Sequence, residues 1–262
     1  CGDGRLMISL LSELQKSGKL PCGRLVISVW DIDANAVDTA KREIARFCEA
    51  AGLICEIDAR QADTFIECDT VCGKYDICVT NPPWSLLKPQ KLFKKSHSEE
   101  AMAEYRNAIA EYDSYMKEAF AISQPSSKFG KWGTNLARCG TEAALRFIKP
   151  EGFCGIVSPA YLLDDQVSNR LRGLIFENYQ VIDVSYYPAE LKLYGSADVS
   201  SVAMVVKGGK TDRSLRVRTY DDKNPCKEKR IEEAAFEYIR GTGFRIPLKT
   251  GTEALSIMMD LA

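Results

Sequence analysis

The sequence predicts an α/β fold with a largely parallel sheet, and two observations support this prediction. Short apolar runs bounded by glycine, proline or acidic residues alternate with segments whose apolar residues recur at helical spacing. Such alternation is typical of parallel strands joined by crossover helices. In addition, the late strands at residues 181–187 and 201–206 are joined by a loop without a helical pattern. Strands joined in this way pair antiparallel, so we expect a hairpin at the edge of the sheet.

The first part of the chain alternates helices and strands. Residues 4–16 carry apolar side chains at helical spacing, and Ser17 and Gly18 end this helix. The predicted strands that follow comprise residues 24–30, 52–57 and 75–80. Between the first two strands lies a helix with the apolar stripe Val37, Ala40, Ile44, Phe47 and Cys48.

The segment from about residue 85 to 133 breaks this alternation, and we interpret it as an insertion. It is polar and carries a predicted helix at residues 99–122. Four lysines stand close together near its start: Lys88, Lys91, Lys94 and Lys95. They form either a solvated charged face or, as a group, a contact for phosphates.

The alternation resumes at residue 134. The predicted elements are helices at 134–149 and 171–176, strands at 153–157, 181–187, 201–206 and 215–220, and helices at 228–238 and 252–261. We therefore divide the chain into a first domain at residues 1–207 and a C-terminal extension at residues 208–262.

The composition argues against several classes of protein. No apolar stretch approaches the length of a membrane span and no signal peptide opens the chain, so we expect a cytoplasmic protein without membrane contact. A net charge of −1 gives no global attraction to nucleic acid, so any such binding must be local. The ten cysteines lie mostly in apolar contexts, and His97 is the single histidine, which predicts reduced cysteines and no metal site.

Four loops follow predicted strands or open a helix, at the edge where open α/β sheets bind ligands. An acid such as Asp31 suits a ribose, whereas Asp33 is better interpreted as a helix N-cap. Glycines before a helix allow the backbone to approach a ligand closely. The residues of these loops are Gly2, Asp3 and Gly4; Asp31 and Ile32; Asp63, Thr64 and Phe65; and Asn81, Pro82, Pro83 and Trp84.

The segment Asn81-Pro82-Pro83-Trp84 directly follows the strand at residues 75–80 and is the most informative of the four. The prolines fix φ and remove backbone donors, which leaves carbonyl oxygens as acceptors beside the Asn81 amide oxygen. Two acceptors suit the two hydrogens of an exocyclic amine, and Trp84 offers a ring on which a planar base can stack. The alternative is a Pro-Pro turn that caps a buried strand, with Trp84 in the core.

Together these four segments resemble the N6-adenine DNA methyltransferases that use S-adenosylmethionine. The order is that of the gamma-type enzymes, which are related to the modification parts of type I and type IIG restriction systems. Further segments continue the resemblance over about residues 1–207: 133–136, 144–152, 156–159 and 193–200. The resemblance implies a Rossmann-like class I S-adenosylmethionine-dependent methyltransferase fold.

The resemblance also implies roles for individual residues. Gly2, Asp3 and Gly4 would line the methionine part of the cofactor, Asp31 with Ile32 would hold its ribose, and Asp63, Thr64 and Phe65 its adenine. Asn81 and the Pro82 carbonyl would hold the target N6, with Pro83 stiffening the loop. Trp84 would stack on the target base and Tyr194 would close its other side.

The implied partner is double-stranded DNA with a flipped adenine, and a specificity or restriction subunit is a further expected partner. Glutamine N5-methyltransferases that act on release factors are an open alternative, because they also use Asn-Pro-Pro-aromatic on this fold. RNA adenine methylation is another. The chain begins at Cys1 without a methionine and lacks the strand expected before it, so a non-catalytic fragment of a longer protein is a third alternative.

Overall fold

The computed structural model describes residues 1–20, 23–89, 98–125, 133–195, 198–209, 214–222, 224–248 and 257. The chain forms two compact units, Cys1–Val71 and Cys72–Ala262. Its helices are α1 (Arg5–Lys16), α2 (Ala34–Ala50), α3 (Glu99–Ala119), α4 (Leu136–Phe147), α5 (Asn169–Asn178) and α6 (Glu233–Gly241). Its strands are β1 (Leu25–Asp31), β2 (Cys55–Gln61), β3 (Tyr75–Thr80), β4 (Ile148–Pro159), β5 (Tyr179–Tyr187), β6 (Ser201–Gly208), β7 (Leu215–Asp221) and β8 (Asn224–Ile231).

The first unit is a single strand-helix-strand motif with α1 added. Strands β1 and β2 pair in parallel, from Leu25 opposite Cys55 to Asp31 opposite Gln61. The helix α2 connects them, as a parallel pair requires. One face of this small sheet is covered, and its core consists of Leu11, Ile27, Val29, Ala40, Ile44 and Cys48.

The second unit contains a six-stranded sheet in the order β3-β4-β6-β5-β7-β8. Its core lies on one face, where residues of α4, α5 and α6 pack on the strands. The side chains of Ile77, Phe153 and Val205, on the three neighbouring strands β3, β4 and β6, are exposed on the other face. The described helices of the core therefore cover this sheet from one side.

The α/β prediction is confirmed, but the sheet is not largely parallel. In the six-stranded sheet β3 and β4 are parallel, as are β5 and β7, whereas the other three neighbouring pairs are antiparallel. The predicted hairpin strands β5 and β6 do pair antiparallel. Their predicted place at the edge is wrong, because β6 lies between β4 and β5, and β7 and β8 extend the sheet beyond them. The six strands also form a sheet separate from β1 and β2.

Several predicted boundaries shift. The helix predicted at residues 134–149 ends at Phe147, because residues 148–159 form the long strand β4. Residues 228–231 belong to β8 instead of a helix, since their alternating side chains extend the pairing with β7. Of the helix predicted at 252–261 only residue 257 is described, and the rest lies outside the described residues, as do Lys91, Lys94 and Lys95. Among the described residues, no helix is both long and apolar enough to span a membrane.

Candidate functional site

The three segments predicted to hold a cofactor meet at one edge of the first unit. The Gly2 backbone N–H donates to Asp31 Oδ2 at 3.0 Å, which ties the glycine loop to the end of β1. The Ala62 N–H donates to the Asp31 carbonyl at 2.9 Å, and the Gln61 side chain donates to the Ile32 carbonyl at 3.1 Å. The loops after β1 and β2 therefore lie side by side with the glycine loop, as the carboxyl ends of parallel strands allow.

The Asp31 carboxylate is already engaged by donors of the protein. Oδ2 accepts from the Cys1 amino group at 2.8 Å as well as from Gly2, and Oδ1 accepts from the Asp33 N–H at 3.1 Å. Hydrogen bonds from the Gly2 and Asp33 N–H groups favour the ionised form of the Asp31 carboxylate. With two lone pairs per oxygen, Oδ1 keeps room for one further donor, such as a hydroxyl.

The other acids of this edge have local structural partners. Asp33 caps α2 by accepting from the Asn35 N–H at 2.9 Å, so its interpretation as an N-cap is confirmed. Asp3 accepts from the Arg5 N–H at 3.2 Å and pairs with the Arg5 guanidinium. Asp63 Oδ1 accepts from the Phe65 N–H at 2.9 Å, and this hydrogen bond closes a turn with Thr64 between the two residues.

The two glycines of the first loop have different neighbours. Gly4 has a φ of +81°, and a Cβ there would lie 3.1 Å from the Ala40 Cα, so α2 packs directly on its backbone. Gly2 has a φ of +55°, and a Cβ there would meet no atom within 4 Å. Gly2 and the exposed side chain of Ile32 therefore border open space at this edge.

In the second unit, the Asn-Pro-Pro-Trp segment leaves the carboxyl end of β3 and is held from behind. Pro82 is buried, whereas Asn81 and Pro83 are exposed. A Cβ on Gly140 of α4 would lie 2.3 Å from the Pro82 Cβ, so the proline ring packs directly against the helix backbone. This contact sets the distance between the loop and α4. The Asn81 side chain is exposed to solvent.

Trp84 is half-buried and contacts Tyr194, which the sequence places 110 positions later. Their ring centroids lie 4.5 Å apart at an interplanar angle of 64°, an edge-to-face contact. The Tyr194 hydroxyl lies 3.1 Å from Ser201 Oγ at the start of β6, which anchors this ring. The Trp84 indole N–H is buried and has no hydrogen-bond partner among the described residues. The residues of the main hydrophobic core of this unit do not include Trp84.

The two rings touch each other in this arrangement. A base stacked between two ring faces needs a separation of roughly 7 Å, twice a normal carbon–carbon contact. At 4.5 Å between centroids, a base could reach the Trp84 face only if the Tyr194 ring moved aside.

The chain after Trp84 is clamped to the start of α4. Leu86 pairs with Asn135 in an isolated antiparallel bridge, Leu87 N–H donates to the Thr134 carbonyl at 2.8 Å, and Leu136 N–H donates to the Ser85 carbonyl at 3.0 Å. The backbones approach so closely that a Cβ on Gly133 would lie 1.7 Å from the Leu87 oxygen. The clamp holds the predicted site against the helix that also supports Pro82.

Sequence reasoning did not identify Gly140 or Tyr161 as parts of this site. A glycine inside a helix costs about 1 kcal/mol relative to alanine, which is a signal of close packing that could have pointed to Gly140. Tyr161 follows β4 without any motif of its own. Only the fold brings its hydroxyl within 2.9 Å of the Asn135 side chain.

Comparison with known proteins gives similar solved structures among methyltransferases and restriction-modification proteins. No protein-family model matches the sequence, and no curated protein matches it. Among solved structures, one of a type I restriction-modification system has a TM-score of 0.53 and 13% identity, and the match covers 92% of this chain and 44% of that one. A provisionally assigned class I S-adenosylmethionine-dependent methyltransferase from Listeria monocytogenes has a TM-score of 0.55 and 12% identity, covering 94% and 62%.

A third similar structure is a nuclease-deletion mutant of the type ISP restriction-modification enzyme LlaGI in complex with a DNA substrate mimic. Its TM-score is 0.52 at 12% identity, and the match covers 84% of this chain and 24% of LlaGI. The chain thus spans between about a quarter and three fifths of these proteins. At these identities the comparisons establish the fold, which is the fold of the methyltransferases that the sequence resembles.

Proposed function

We propose that this chain is an S-adenosylmethionine-dependent methyltransferase that methylates the N6 amino group of adenine in DNA. The observation that supports this proposal best is the pairing of Trp84 with Tyr194 beside the Asn-Pro-Pro segment. The sequence resemblance implies that both side chains contact the target base. They also contact each other, although they are 110 positions apart in the sequence.

The chemistry of the segment suits an unreactive amine. The N6 lone pair of adenine is delocalised into the ring, so the nitrogen must become pyramidal before it can attack a methyl group. The Asn81 amide oxygen and the Pro82 carbonyl would accept its two hydrogens and stabilise the charge that develops on N6. The packing of Pro82 against Gly140 holds the Pro82 backbone in place, so the orientation of its carbonyl does not have to be acquired during the reaction.

S-adenosylmethionine supplies the methyl group, and the edge of the first unit would bind it. In this proposal Gly2, Asp3 and Gly4 line its methionine part, and Asp31 with Ile32 holds the ribose through the lone pair left on Oδ1. Asp63, Thr64 and Phe65 would hold its adenine. The Gly2 and Asp33 N–H groups that donate to Asp31 support this role, because they favour the ionised carboxylate, which is the stronger acceptor for hydroxyl groups.

The proposed macromolecular substrate is double-stranded DNA with a flipped adenine. Support comes from the fold relatives, one of which is named as a DNA complex and another as part of a multi-subunit assembly. Flipping costs a few kcal/mol, and stacking on Trp84 would offset roughly 1 to 3 kcal/mol of it. We place the enzyme in the cytoplasm, in a restriction-modification or related defence system, with a specificity or restriction subunit or domain as partner.

The decisive experiment is nucleoside analysis of DNA from cells that express the full-length protein. We expect N6-methyladenine with the wild type and its loss with Asn81→Ala. The matched control is Asn178→Ala at the exposed end of α5, which should methylate like the wild type. Unmethylated DNA together with methylated protein glutamine would favour the glutamine N5-methyltransferases, and N6-methyladenine found only in RNA would assign the activity to RNA.

A further inference from the structure

Tyr161 lies between the two segments that carry the aromatic pair of the second unit. It belongs to the short 3-10 turn that follows β4, and its side chain is half-buried. The preceding residue, Ala160, donates its N–H to the Ser200 carbonyl at 2.9 Å, next to the serine that anchors Tyr194. On its other side Tyr161 contacts Asn135, which pairs with Leu86, two residues beyond Trp84.

The orientation of the Asn135 amide is fixed by its role as a helix cap. Asn135 is the N-cap of α4, and its side chain accepts from the Arg138 backbone N–H at 3.1 Å. A backbone N–H can only donate, so the atom that accepts must be the amide oxygen. The other end of the amide is therefore the NH₂ group, which can only donate.

The direction of the next hydrogen bond follows. Because Asn135 Nδ2 donates to the Tyr161 hydroxyl at 2.9 Å, the Tyr161 oxygen is the acceptor in this contact. A phenol both accepts and donates, so the Tyr161 O–H proton remains for a different partner. In the part of the chain that the structure describes, Tyr161 Oη has no other hydrogen bond, so no protein group there accepts its proton.

We propose that Tyr161 donates this proton in a hydrogen bond to the nucleic-acid substrate. The ligand chemistry is an acceptor on a nucleotide, either a ring nitrogen of the target purine or an oxygen of a neighbouring phosphate. The inference rests on the proposed function, and it adds a binding residue to the Asn-Pro-Pro-Trp segment. A purely structural role would be to anchor Asn135, and the two roles differ in their dependence on the substrate.

The test measures kcat/KM of the full-length protein on matched duplexes. The duplexes carry adenine, 1-deaza-, 3-deaza- or 7-deazaadenine at the target position, or a neutral methylphosphonate at one of the flanking phosphates. We expect Tyr161→Phe to lower kcat/KM about tenfold on the normal duplex, the effect of one lost hydrogen bond. On the one duplex that lacks the acceptor, wild type and variant should be equal.

Which duplex abolishes the difference identifies the acceptor. A deaza base would assign the contact to the purine, and a methylphosphonate would assign it to the phosphate. The matched control is Tyr179→Phe, which removes a hydroxyl that donates to the Leu145 carbonyl at 3.2 Å at the other end of the same sheet. It should leave the ranking of the duplexes unchanged.

A second variant separates binding from anchoring. In Asn135→Asp the side chain still caps α4, because Asp and Asn are about equal at the N-cap. A carboxylate cannot donate, so the Tyr161 O–H would donate to the side chain at position 135. The hydroxyl would then no longer be available as a donor to the substrate. We expect this variant to lose about as much kcat/KM as Tyr161→Phe, and the double variant to lose no more than either.

The inference is overturned if Tyr161→Phe reduces kcat/KM equally on every duplex, or on none. It is also overturned if Asn135→Asp transfers methyl groups like the wild type. A wild-type protein that methylates none of the duplexes contradicts the proposed function itself, and this inference with it, whereas an active wild type with unaffected variants contradicts the inference alone.

Discussion

The two units present their candidate residues in opposite ways. At the edge of the first unit, the acids other than Asp31 have local partners: Asp33 caps α2, Asp3 pairs with Arg5, and Asp63 closes a turn with Phe65. In the second unit, the candidate residues are supported by elements far away in sequence. Pro82 packs on Gly140 and Trp84 on Tyr194.

This difference separates a site in which local turns hold most of the candidate acids from one whose shape follows from side-chain packing between distant elements. Local turns form from neighbouring residues, and exposed ion pairs add little to their stability. The second site requires that α4, the insertion and the β5–β6 loop are all in place. Substitutions far from Asn81 should therefore damage the second site, whereas comparable substitutions in the first unit should be mild.

The largest effect is expected at Glu142, which attaches the end of the insertion to α4. Its fully buried carboxylate accepts from the Ser123 N–H at 2.9 Å and the Ser123 hydroxyl at 2.6 Å, and it pairs with Arg146. Glu142→Ala leaves these donors unpaired, so we expect a loss of about 3 to 5 kcal/mol in the free energy of unfolding. Urea titration followed by circular dichroism measures it.

The matched substitution in the first unit is Glu13→Ala, which removes an exposed pair with Lys16. We expect this variant to change the free energy of unfolding by less than about 0.5 kcal/mol. Equal losses in the two variants would contradict the contrast between the units.

An intermediate effect is expected from Gly140→Ala. The new methyl group would lie 2.3 Å from the Pro82 Cβ, so either α4 or the Asn-Pro-Pro-Trp loop must shift. We expect a loss of about 1 to 3 kcal/mol in stability, the usual cost of overpacking, and a larger proportional loss of kcat than of cofactor affinity. Equilibrium unfolding and single-turnover methyl transfer measure the two quantities.

Gly173→Ala is the control for this substitution. Gly173 lies inside α5, and a Cβ there meets no atom within 4 Å. Alanine is the better helix former, so this variant should be neutral or more stable by up to about 1 kcal/mol. If Gly140→Ala behaved in the same way, Pro82 would not depend on the helix backbone.

The smallest effect is a pH dependence at Asp113 of α3, which accepts from the Thr134 N–H at 2.8 Å beside the clamp and pairs with Lys117. Partial burial raises the pKa of Asp113, but Lys117 and Thr134 outweigh it and lower the pKa. A lowered pKa means that the stabilisation is complete above the ordinary value near 4 and is lost as pH falls through the folded value.

Asp113→Asn should therefore be less stable than the wild type at pH 6, by below about 1 kcal/mol, and this difference should shrink as the pH falls below about 4. Thermal unfolding between pH 2.5 and 6 measures it. A difference that stayed constant over this range would show that the charge of Asp113 does not stabilise the clamp.

Local pattern predicted the elements that local physics controls. The helix at residues 4–16 and the strand at 75–80 have apolar spacing and end signals that need no distant partner, and α1 and β3 match them. The N-cap role of Asp33 was also predicted from the sequence and is confirmed. The predicted helix at 228–238 was wrong in its first part, because the pairing of β8 with β7 outweighs the helical propensity of a charged segment.

The place of the hairpin in the sheet and the geometry around Trp84 could not be predicted from local pattern. Strand order depends on which edges meet after the chain has folded, and the sequences of β7 and β8 do not indicate which strands they pair with. The free proton of Tyr161 depends on the direction of an amide that caps α4 and on the turn after β4.

The sequence by itself determined the α/β alternation, the Asn-Pro-Pro-Trp segment and the residues to compare with known methyltransferases, because each depends on residues that are close together in the chain. Only the tertiary structure decided that Gly140 supports Pro82, that Tyr194 contacts Trp84 and that Tyr161 keeps a proton to donate. These relations join residues from 26 to 110 positions apart in the chain. Contacts over such separations arise from packing, which sequence periodicity does not encode.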